Sequence, residues 1–597
     1  MNGSKFQSSF SASIFADKQI NNDLYMDFLV GAETWSTRTV STAAATSRGF
    51  KVRDFYNIDN SFESPVFSGG IGPQKTINSV YSFLNLEYRS TWYLQLTGRN
   101  DWSSALVYPD GTGDNSYFYP SASLSWLVSE VYELPDAVSF LKLRTSYAMV
   151  GNDTDPYRLS TGFAPVVFTQ EPTLNLYKYE NNTAVSRNLK PEIKRSFEAG
   201  LDVRFFNGRF GLDVAYYRDN TRNQILALRV PMESGITNQL INAGNLQNQG
   251  VEGVLNITPI ESRNFSWDIT FTGTHNRDKI IELYPGVNEI VLDGNPGDAN
   301  AGTASIAYAG GDYGMLATRR GYRYYQAVDE GGNPIPHPHN GKPLLDQRNG
   351  WTVTYLNGAS NQDSLHIVGN MQPDFYGSMT NSFRYKQFSL NFMIDSRLGG
   401  EIYSNAYRYG LHQGVLESSL PNRDAQNGGI VWTSEGMGQN YYGKTYEDGY
   451  IPDGVFPDGT IINYRDADRV NYKSVNVGGM TYREAYDAGL VEPTHWSGYI
   501  YRWTSASTGT SFMGIHTLNW VALREVSLAY SLPAEVANRL YVQNASISLV
   551  ARDLGFLHNS MPDNINPVIS DNRAASARQM GFDPYVRSVT LSLKIDF

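Results

Sequence analysis

Several features that would indicate other classes of protein are absent from this chain of 597 residues. It contains no cysteine, which excludes disulfide scaffolds, thiolate zinc sites and thiol nucleophiles. No stretch approaches the roughly 18 apolar residues of a membrane helix, and the first residues lack the apolar core of a signal peptide. Basic residues are outnumbered, 48 against 59 acidic ones, which argues against a surface that binds nucleic acid.

Helical periodicity is nearly absent too, and what takes its place is an alternation of apolar and polar residues with a period of two. In the last segment, for example, Val589, Leu591, Leu593 and Ile595 alternate with polar residues. Because successive side chains of a strand point to opposite faces, each such run has one apolar and one polar face. Strands of outer-membrane β-barrels have this pattern, with lipid outside and water inside. A soluble β-sandwich or propeller shows it as well.

The connections between the predicted strands separate these alternatives. Fifteen strands are predicted, at residues 5–14, 22–33, 77–89, 91–100, 117–128, 138–149, 194–206, 210–221, 249–259, 265–276, 376–386, 387–398, 516–531, 542–552 and 586–597. Short turns mostly alternate with long loops, which are predicted at 34–76, 150–193, 222–248, 277–375, 399–515 and 553–585. This alternation is typical of bacterial outer-membrane barrels, whose short turns face the periplasm, and a soluble sandwich rarely carries such long loops.

The predicted fold class is therefore all-β, a transmembrane antiparallel outer-membrane β-barrel with long extracellular loops. A closed single-chain barrel has an even number of strands, and an incomplete wall would expose unpaired backbone groups to lipid. We therefore expect residues 1–597 to be one partial barrel domain that lacks its first strands. The stretch from Gly314 to Gln326 is the place where a sixteenth strand would restore an even count.

Several longer motifs resemble one family, the SusC/RagA-type TonB-dependent outer-membrane transporters. The matching segments have the residues GRNDWSS at 98–104, YFYPSAS at 117–123 followed by LSW at 124–126, LKLRTSY at 141–147 with GND at 151–153, NAG at 242–244, NQGVE at 248–252, LREVSLAY at 523–530, and the terminal aromatic Phe597. Any one of them is a weak signal, whereas their order and spacing together are specific.

The resemblance implies a barrel of approximately 22 strands closed by a plug, a size class of outer-membrane transporters. It further implies uptake of oligosaccharides or peptides, driven by the inner-membrane TonB complex, beneath a SusD-like surface lipoprotein that acts as a lid. The chain departs from the family in having no detectable N-terminal extension, TonB box or plug. The alternatives are a surface adhesin or glycan-binding β-protein without transport, and a secreted glycosidase. Catalysis is not expected.

Candidate ligand-binding residues come from the aromatic side chains of the long loops. Sugars present patches of C–H groups and rings of hydroxyls, so aromatic faces beside amide and carboxylate acceptors suit them. On this basis we expect ligand contacts from Trp432, Tyr441, Tyr442, Trp496 and Trp503. The alternative is that these aromatics pack the loops or sit at the membrane interface.

Phe597 is expected to serve in assembly rather than in binding. A terminal aromatic on an alternating strand resembles the recognition signal of the barrel-assembly machinery, and it would also anchor the strand in the interfacial girdle of the lipid bilayer.

Three motifs indicate chemistry that their surroundings do not support. Residues 438–445 match the P-loop pattern, but the glycine- and proline-containing segment that follows cannot form the helix which that motif needs. His337 and His339 share a loop with no third ligand at a recognisable spacing, which favours a solvated turn. Asp448, Asp453, Asp458, Asp466 and Asp468 crowd one region without the spacing of a calcium-binding loop. We therefore predict no cofactor and no metal.

Overall fold

The computed structural model describes most of the chain and divides it into two compact units. The described residues are 2–159, 162–166, 176–179, 182–230, 233, 235–294, 303–318, 323–345, 366–433, 445–465, 472–497, 500, 511–539, 541–568, 578–579, 581 and 585–596. The first unit comprises residues 1–258 and 276–288, and the second comprises 259–275 and 289–597. In the described ranges no helix has the length and apolar character needed to cross a membrane.

The first unit is an antiparallel meander, in which each long strand pairs with the next long strand along the chain. Its strands are β1 (Asn2–Asn21), β2 (Leu24–Phe50), β3 (Ser61–Tyr88), β4 (Trp92–Ser103), β5 (Ser116–Leu127), β6 (Val138–Asn152), β7 (Phe163–Val166), β8 (Leu176–Tyr179), β9 (Thr183–Val185), β10 (Glu192–Phe205), β11 (Phe210–Arg229) and β12 (Asn238–Glu261). The short strands stand apart: β7 pairs with β8, and β9 runs parallel to β12.

The second unit combines a meander with smaller sheets in the connections. Its strands are β13 (Phe265–Glu282), β14 (Glu289–Gly294), β15 (Ala304–Tyr308), β16 (Met315–Thr318), β17 (His366–Asn370), β18 (Phe375–Tyr385), β19 (Phe388–Leu398), β20 (Glu401–Ser404), β21 (Ile430–Thr433), β22 (Thr445–Tyr450), β23 (Ile461–Arg465), β24 (Tyr472–Asn476), β25 (Thr494–His495), β26 (Ile515–Thr517), β27 (Trp520–Ser531), β28 (Asn544–Asn559), β29 (Arg578–Gln579) and β30 (Ser588–Asp596). The meander order is β13, β18, β19, β27, β28, β30, and of β13 only 265–275 belong to this unit. Three helices have bounds that the structure describes: α1 (Asn405–Gln413), α2 (Tyr482–Asp487) and α3 (Ala534–Arg539).

Strand pairing in the second unit places apolar side chains side by side on one face. Leu390 on β19 pairs with Leu528 on β27, which pairs with Leu549 on β28, which pairs with Leu591 on β30. These four leucines are 39%, 49%, 47% and 69% exposed. A sandwich would bury such a row between two sheets, whereas a membrane barrel turns it toward lipid.

The first unit repeats this arrangement with other residues. Phe28 on β2 pairs with Leu84 on β3, and Leu84 pairs with Leu96 on β4. The adjacent register row on the opposite face is polar, and there the Asn85 side chain donates to Asp27 at 2.8 Å.

All fifteen strands predicted from the alternation are present in the two meanders, so the prediction of an all-β antiparallel transmembrane sheet is confirmed.

Two of the predicted long loops are mostly strand, and this part of the prediction was wrong. β2 and β3 extend to within ten residues of each other, so the connection inside 34–76 is only 51–60. The connection inside 222–248 likewise shrinks to 230–237. The reason is physical: a strand that has left the bilayer has no lipid-facing side, so its sequence need not alternate, and 34–50 is instead rich in serine, threonine and alanine.

The segment weighed as a sixteenth wall strand does contain a strand, but not in the meander. β16 (Met315–Thr318) pairs with β15 and β17 in a separate four-stranded sheet. Its residues Leu316 and Ala317 are fully buried, so this small sheet forms a core of its own within the long connection rather than extending the wall.

Candidate ligand-binding face and loops

The polar face of the first unit is held together by ion pairs, and Arg99 on β4 lies at the centre of one network. Its Nε donates to Asp101 Oδ1 at 2.7 Å and one terminal nitrogen donates to Ser79 Oγ at 2.7 Å. The other lies 3.4 Å from Glu33 Oε2, and the Tyr119 hydroxyl donates to Asp101. Asp101 is 6% exposed, so its buried charge is fully compensated by these partners.

A second network joins two of the motifs that the family resemblance rests on. Lys75 Nζ lies 2.5 Å from Asp153 Oδ1 and donates to the Thr154 carbonyl at 3.3 Å. The Ser103 hydroxyl donates to the other Asp153 oxygen. Ser103 belongs to the segment 98–104 and Asp153 to the segment 151–153, so a direct contact links two motifs that are distant in sequence.

Arg144 on β6 borders an open cavity of about 730 Å³ on the same polar face. Its guanidinium makes a two-pronged contact with Asp213, at 2.7 and 3.1 Å, and lies 3.5 Å from Glu198. The polar part of the lining also includes Tyr217, Asp219, Glu252 and two serines. The cavity offers carboxylate acceptors and hydroxyls to a ligand in water.

In the second unit a bulge directs Arg524 onto two acidic residues. The pairing of β19 with β27 shifts register between Met393 and Ile394, which leaves Arg524 unpaired in the ladder. Its Nε donates to Asp395 and a terminal nitrogen to Asp553, both at 3.1 Å. Bulges re-aim side chains in this way. None of these charged networks was predicted as part of a site. Their sequence signals are charged residues on alternating strands and, for Arg99, Arg144 and Arg524, a place in the motifs of the family resemblance.

Trp432, a predicted ligand contact, belongs to a compact aromatic cluster. Its ring stacks on Tyr446 with centroids 5.2 Å apart and meets the edge of His495 at 4.9 Å. The His495 Nδ1 lies 2.9 Å from Asp448 Oδ1, and β21, β22 and β25 hold the four residues together. A half-buried indole face beside an imidazole and a carboxylate is an arrangement that can bind a sugar ring.

Trp496 is placed differently, because the loop core encloses it. It is 7% exposed and packs with Leu411 and Ile500, and the Arg423 guanidinium lies 5.8 Å from the centre of its ring. Burial of this kind is what the packing alternative describes, and ligand contact by Trp496 stays a prediction. Tyr441, Tyr442, Trp503 and Phe597 lie outside the described residues, so their roles stay predictions.

The two histidines at 337 and 339 are more ordered than the solvated turn that was predicted. The His339 ring lies 3.1 Å from Glu484 and 3.0 Å from the Gly479 carbonyl, and its centroid is 4.7 Å from that of His337. Glu484 also accepts from the Thr481 backbone N–H in a capping box at the start of α2. This hydrogen bond is the main cause that lowers the pKa of Glu484.

The acidic residues of the loops are spread over separate contacts. Asp448 pairs with His495, Asp453 lies 2.6 Å from Lys342, and Asp458 accepts from the Tyr325 hydroxyl at 3.1 Å. Asp466, Asp468 and nearly all of the P-loop-like segment lie outside the described residues. Among the side chains that the structure does describe, no group of three or more histidines and carboxylates could hold a metal ion.

One buried titratable group lies in the loop region near α1. His516 on β26 meets the Tyr407 ring edge-on at 4.6 Å, and burial lowers its pKa to about 4. Desolvation disfavours the charged imidazolium, so this histidine is neutral at physiological pH.

Comparison with known proteins adds family and fold to this geometry. A family model described as "TonB dependent receptor-like, beta-barrel" matches residues 2–359. TonB-dependent receptor P26 of Formosa agariphila is 30% identical over 387 residues, which cover 62% of this chain and 37% of that protein. TonB-dependent receptor SusC of Bacteroides thetaiotaomicron is 25% identical over 349 residues, which cover 55% of this chain and 32% of that protein.

A likeness to solved structures extends over the whole chain. The structure of the RagAB peptide transporter superposes with a TM-score of 0.66 at 17% identity, and the match covers 100% of this chain and 56% of that one. At this identity the likeness concerns the fold alone. The matched segments span between a third and a little over half of these relatives' own lengths.

Proposed function

Because the chain belongs to the TonB-dependent receptor-like β-barrel family of the bacterial outer membrane, we propose that it forms the wall and ligand-binding loops of an outer-membrane nutrient importer. The proposed cargo is an oligosaccharide or a peptide. The proposed partners are a SusD-like surface lipoprotein, which covers the outer opening, and the TonB complex, which supplies energy from the inner membrane.

The observation that carries this proposal is the separation of the two faces of each meander. In the second unit the exposed leucine row of β19, β27, β28 and β30 matches a lipid surface, while the opposite face carries the pair of Arg524 with Asp395. In the first unit the polar face carries the pairs of Arg99 with Asp101 and of Arg144 with Asp213. Charged side chains of this kind are tolerated where they border water inside a barrel. A polar interior then gives hydrophilic cargo a path through the membrane.

The partners follow from similarity rather than from any described contact. The relatives include a SusC protein, and the fold matches the RagAB peptide transporter, so a lid of the SusD type is the partner we expect. Energy coupling is expected because a wide barrel without a gate would leak. The family consists of receptors and transporters, and we expect this chain to bind its cargo without chemical turnover.

Uptake by the source bacterium tests the proposal. Deletion of the gene should abolish the import of one class of fluorescently labelled oligosaccharide or peptide, and a plasmid copy should restore it. A strain without TonB should show the same loss, and a SusD-like lipoprotein should co-purify with the chain in detergent. Normal uptake of every oligosaccharide and peptide tested in the deletion strain would refute the proposal.

A further inference from the structure

A second cavity, of about 600 Å³, lies within the second unit at the end of β28 that leads into a long connection. By the topology of short periplasmic turns and long outer loops, this is the extracellular end of the strand. The cavity is lined by the β28 residues 555–559, by the turn 563–566 and by the segment just before β30. None of its residues was predicted to be functional.

The backbone around the cavity is held in unusual conformations. Asp563 and Asn564 both have a φ of 53°, the left-handed region that costs a non-glycine residue energy. Asp563 is fixed there because its carboxylate accepts from the Ser418 backbone N–H at 2.9 Å and from the Ser418 hydroxyl at 2.7 Å. On the β28 side, the Asn559 amide donates to the Ile565 carbonyl at 3.0 Å. These bonds preform the wall of the cavity.

The side chains that line the cavity include a cation, hydrogen-bond donors, an aromatic wall and the aliphatic residues Leu416, Leu557 and Ile565. Arg587 is exposed and has no ion pair or hydrogen bond with any residue that the structure describes, and the one carboxylate of the lining, Asp563, is bonded to Ser418. His558 and Asn564 add donors, and the rings of Phe556 and Tyr585 pack 4.8 Å apart. In a chain with a net charge of −11, an arginine that lines a cavity and pairs with no described residue is a specific feature.

We propose that this cavity binds a sugar unit that carries a carboxylate or sulfate group, as part of an acidic oligosaccharide. The planar guanidinium of Arg587 matches such an anion with paired hydrogen bonds. The amide and imidazole groups suit ring hydroxyls, and the aromatic wall suits the C–H face of a sugar. Seven of the twelve described lining residues carry polar groups, which favours a hydroxyl-rich sugar over an apolar side chain of a peptide. This inference rests on the proposed import function and specifies its substrate class.

The test is binding of the purified full chain in detergent to an array of neutral, carboxylated and sulfated oligosaccharides and of acidic and neutral tetrapeptides. The wild-type chain should prefer acidic glycans, and R587Q should bind them at least tenfold more weakly. R587K keeps the positive charge but loses the paired hydrogen bonds of the guanidinium, so its affinity for acidic glycans should lie between those of the wild type and R587Q. The matched control is R263Q, which removes an exposed arginine from the short turn between β12 and β13 and should bind as the wild type does.

Three outcomes would overturn the inference: preference for neutral glycans, acidic-glycan binding that R587Q leaves unchanged, or binding of acidic peptides alone. A comparison of the electrophoretic mobility of heated and unheated R587Q shows whether the variant is folded, and an unfolded R587Q shifts the test to R587K. The inference and the proposed function fail separately. If the chain prefers neutral glycans and its gene is still needed for uptake, only the acidic substrate class is refuted. If the deletion strain takes up every ligand normally, the proposed import function is refuted.

Discussion

At the scale of single residues, the polar face depends on charges that are buried and paired. Asp101 accepts hydrogen bonds from the Arg99 guanidinium and from the Tyr119 hydroxyl. Asp153 accepts hydrogen bonds from the Lys75 ammonium and from the Ser103 hydroxyl. Removing one partner of a buried pair leaves the other charge uncompensated, which costs more than the pair itself contributes.

D101N should therefore lower the free energy of unfolding by about 3 kcal/mol, because Arg99 loses its closest carboxylate. The matched control is D114N in the exposed connection before β5, which should change stability by less than about 0.5 kcal/mol. Guanidinium unfolding of the chain in detergent micelles measures both. Equal stability of D101N and the wild type would mean that the network is not structurally important.

The lowered pKa of buried His516 leads us to expect that the folded chain loses stability in acid. Its pKa in the folded chain is about 4, below the roughly 6.5 of an unfolded histidine, so the unfolded state takes up a proton first as the pH falls. The stability that depends on neutral His516 is therefore complete above about pH 6.5 and falls by about 3 kcal/mol by pH 4.

H516F keeps an aromatic ring beside Tyr407 and removes the titration. Between pH 7 and pH 4.5 it should lose less stability than the wild type, as measured by hydrogen exchange of the backbone around β26. The same acid sensitivity in both proteins would assign the effect to other groups.

At the scale of elements, the hairpins set the length and register of each strand pair. The turn between β3 and β4 has Arg89 and Ser90 at φ values of 52° and 51°, which is the backbone of a type I′ turn. Non-glycine residues adopt this conformation at a cost, whereas Asn-Gly favours it. The exposed pair of Arg89 with Asp23, at 3.4 Å, contributes little in compensation.

The double substitution R89N/S90G should accordingly stabilise the chain by about 1 kcal/mol. S262G serves as a control, because Ser262 is not in the left-handed region and its hydroxyl accepts from the Phe265 N–H at 3.1 Å. That substitution should be neutral or destabilising. A lower unfolding midpoint for R89N/S90G would show that the native turn is not strained.

At the scale of the whole molecule, the apolar row on the meander strands decides which solvent the protein needs. Leu528 is 49% exposed and is flanked by Leu390 and Leu549 on the neighbouring strands. Ala529, the next residue, points to the polar face, where it pairs with Ser389 and Ser548.

L528K should cost about 2–4 kcal/mol of folding free energy in lipid, because it places a charge on the membrane side, whereas A529K should cost less than about 1 kcal/mol. The amount of each variant recovered in urea-washed outer membranes, and folding into lipid vesicles, measure the difference. If A529K were the more damaging of the two, the assignment of the faces would be reversed.

What the sequence determined by itself is the set of wall strands and their two faces. All fifteen were predictable because alternation is a local property. Neighbouring side chains on a strand face lipid and water in turn, so each position of the sequence must be apolar or polar accordingly. The alternation faded in 34–50, where no lipid constrains the strand, and there the prediction gave a loop in place of strand.

What only the tertiary structure decided is which distant residues meet. Lys75 reaches Asp153, Trp432 meets His495, and Arg587 joins Asn564 at one cavity, although these residues are far apart in sequence. Such contacts depend on strand register, on bulges and on how each long connection packs its own small core. Trp496 illustrates the limit, because its aromatic character is visible in the sequence but its burial among Leu411 and Ile500 follows only from the packing of the loop.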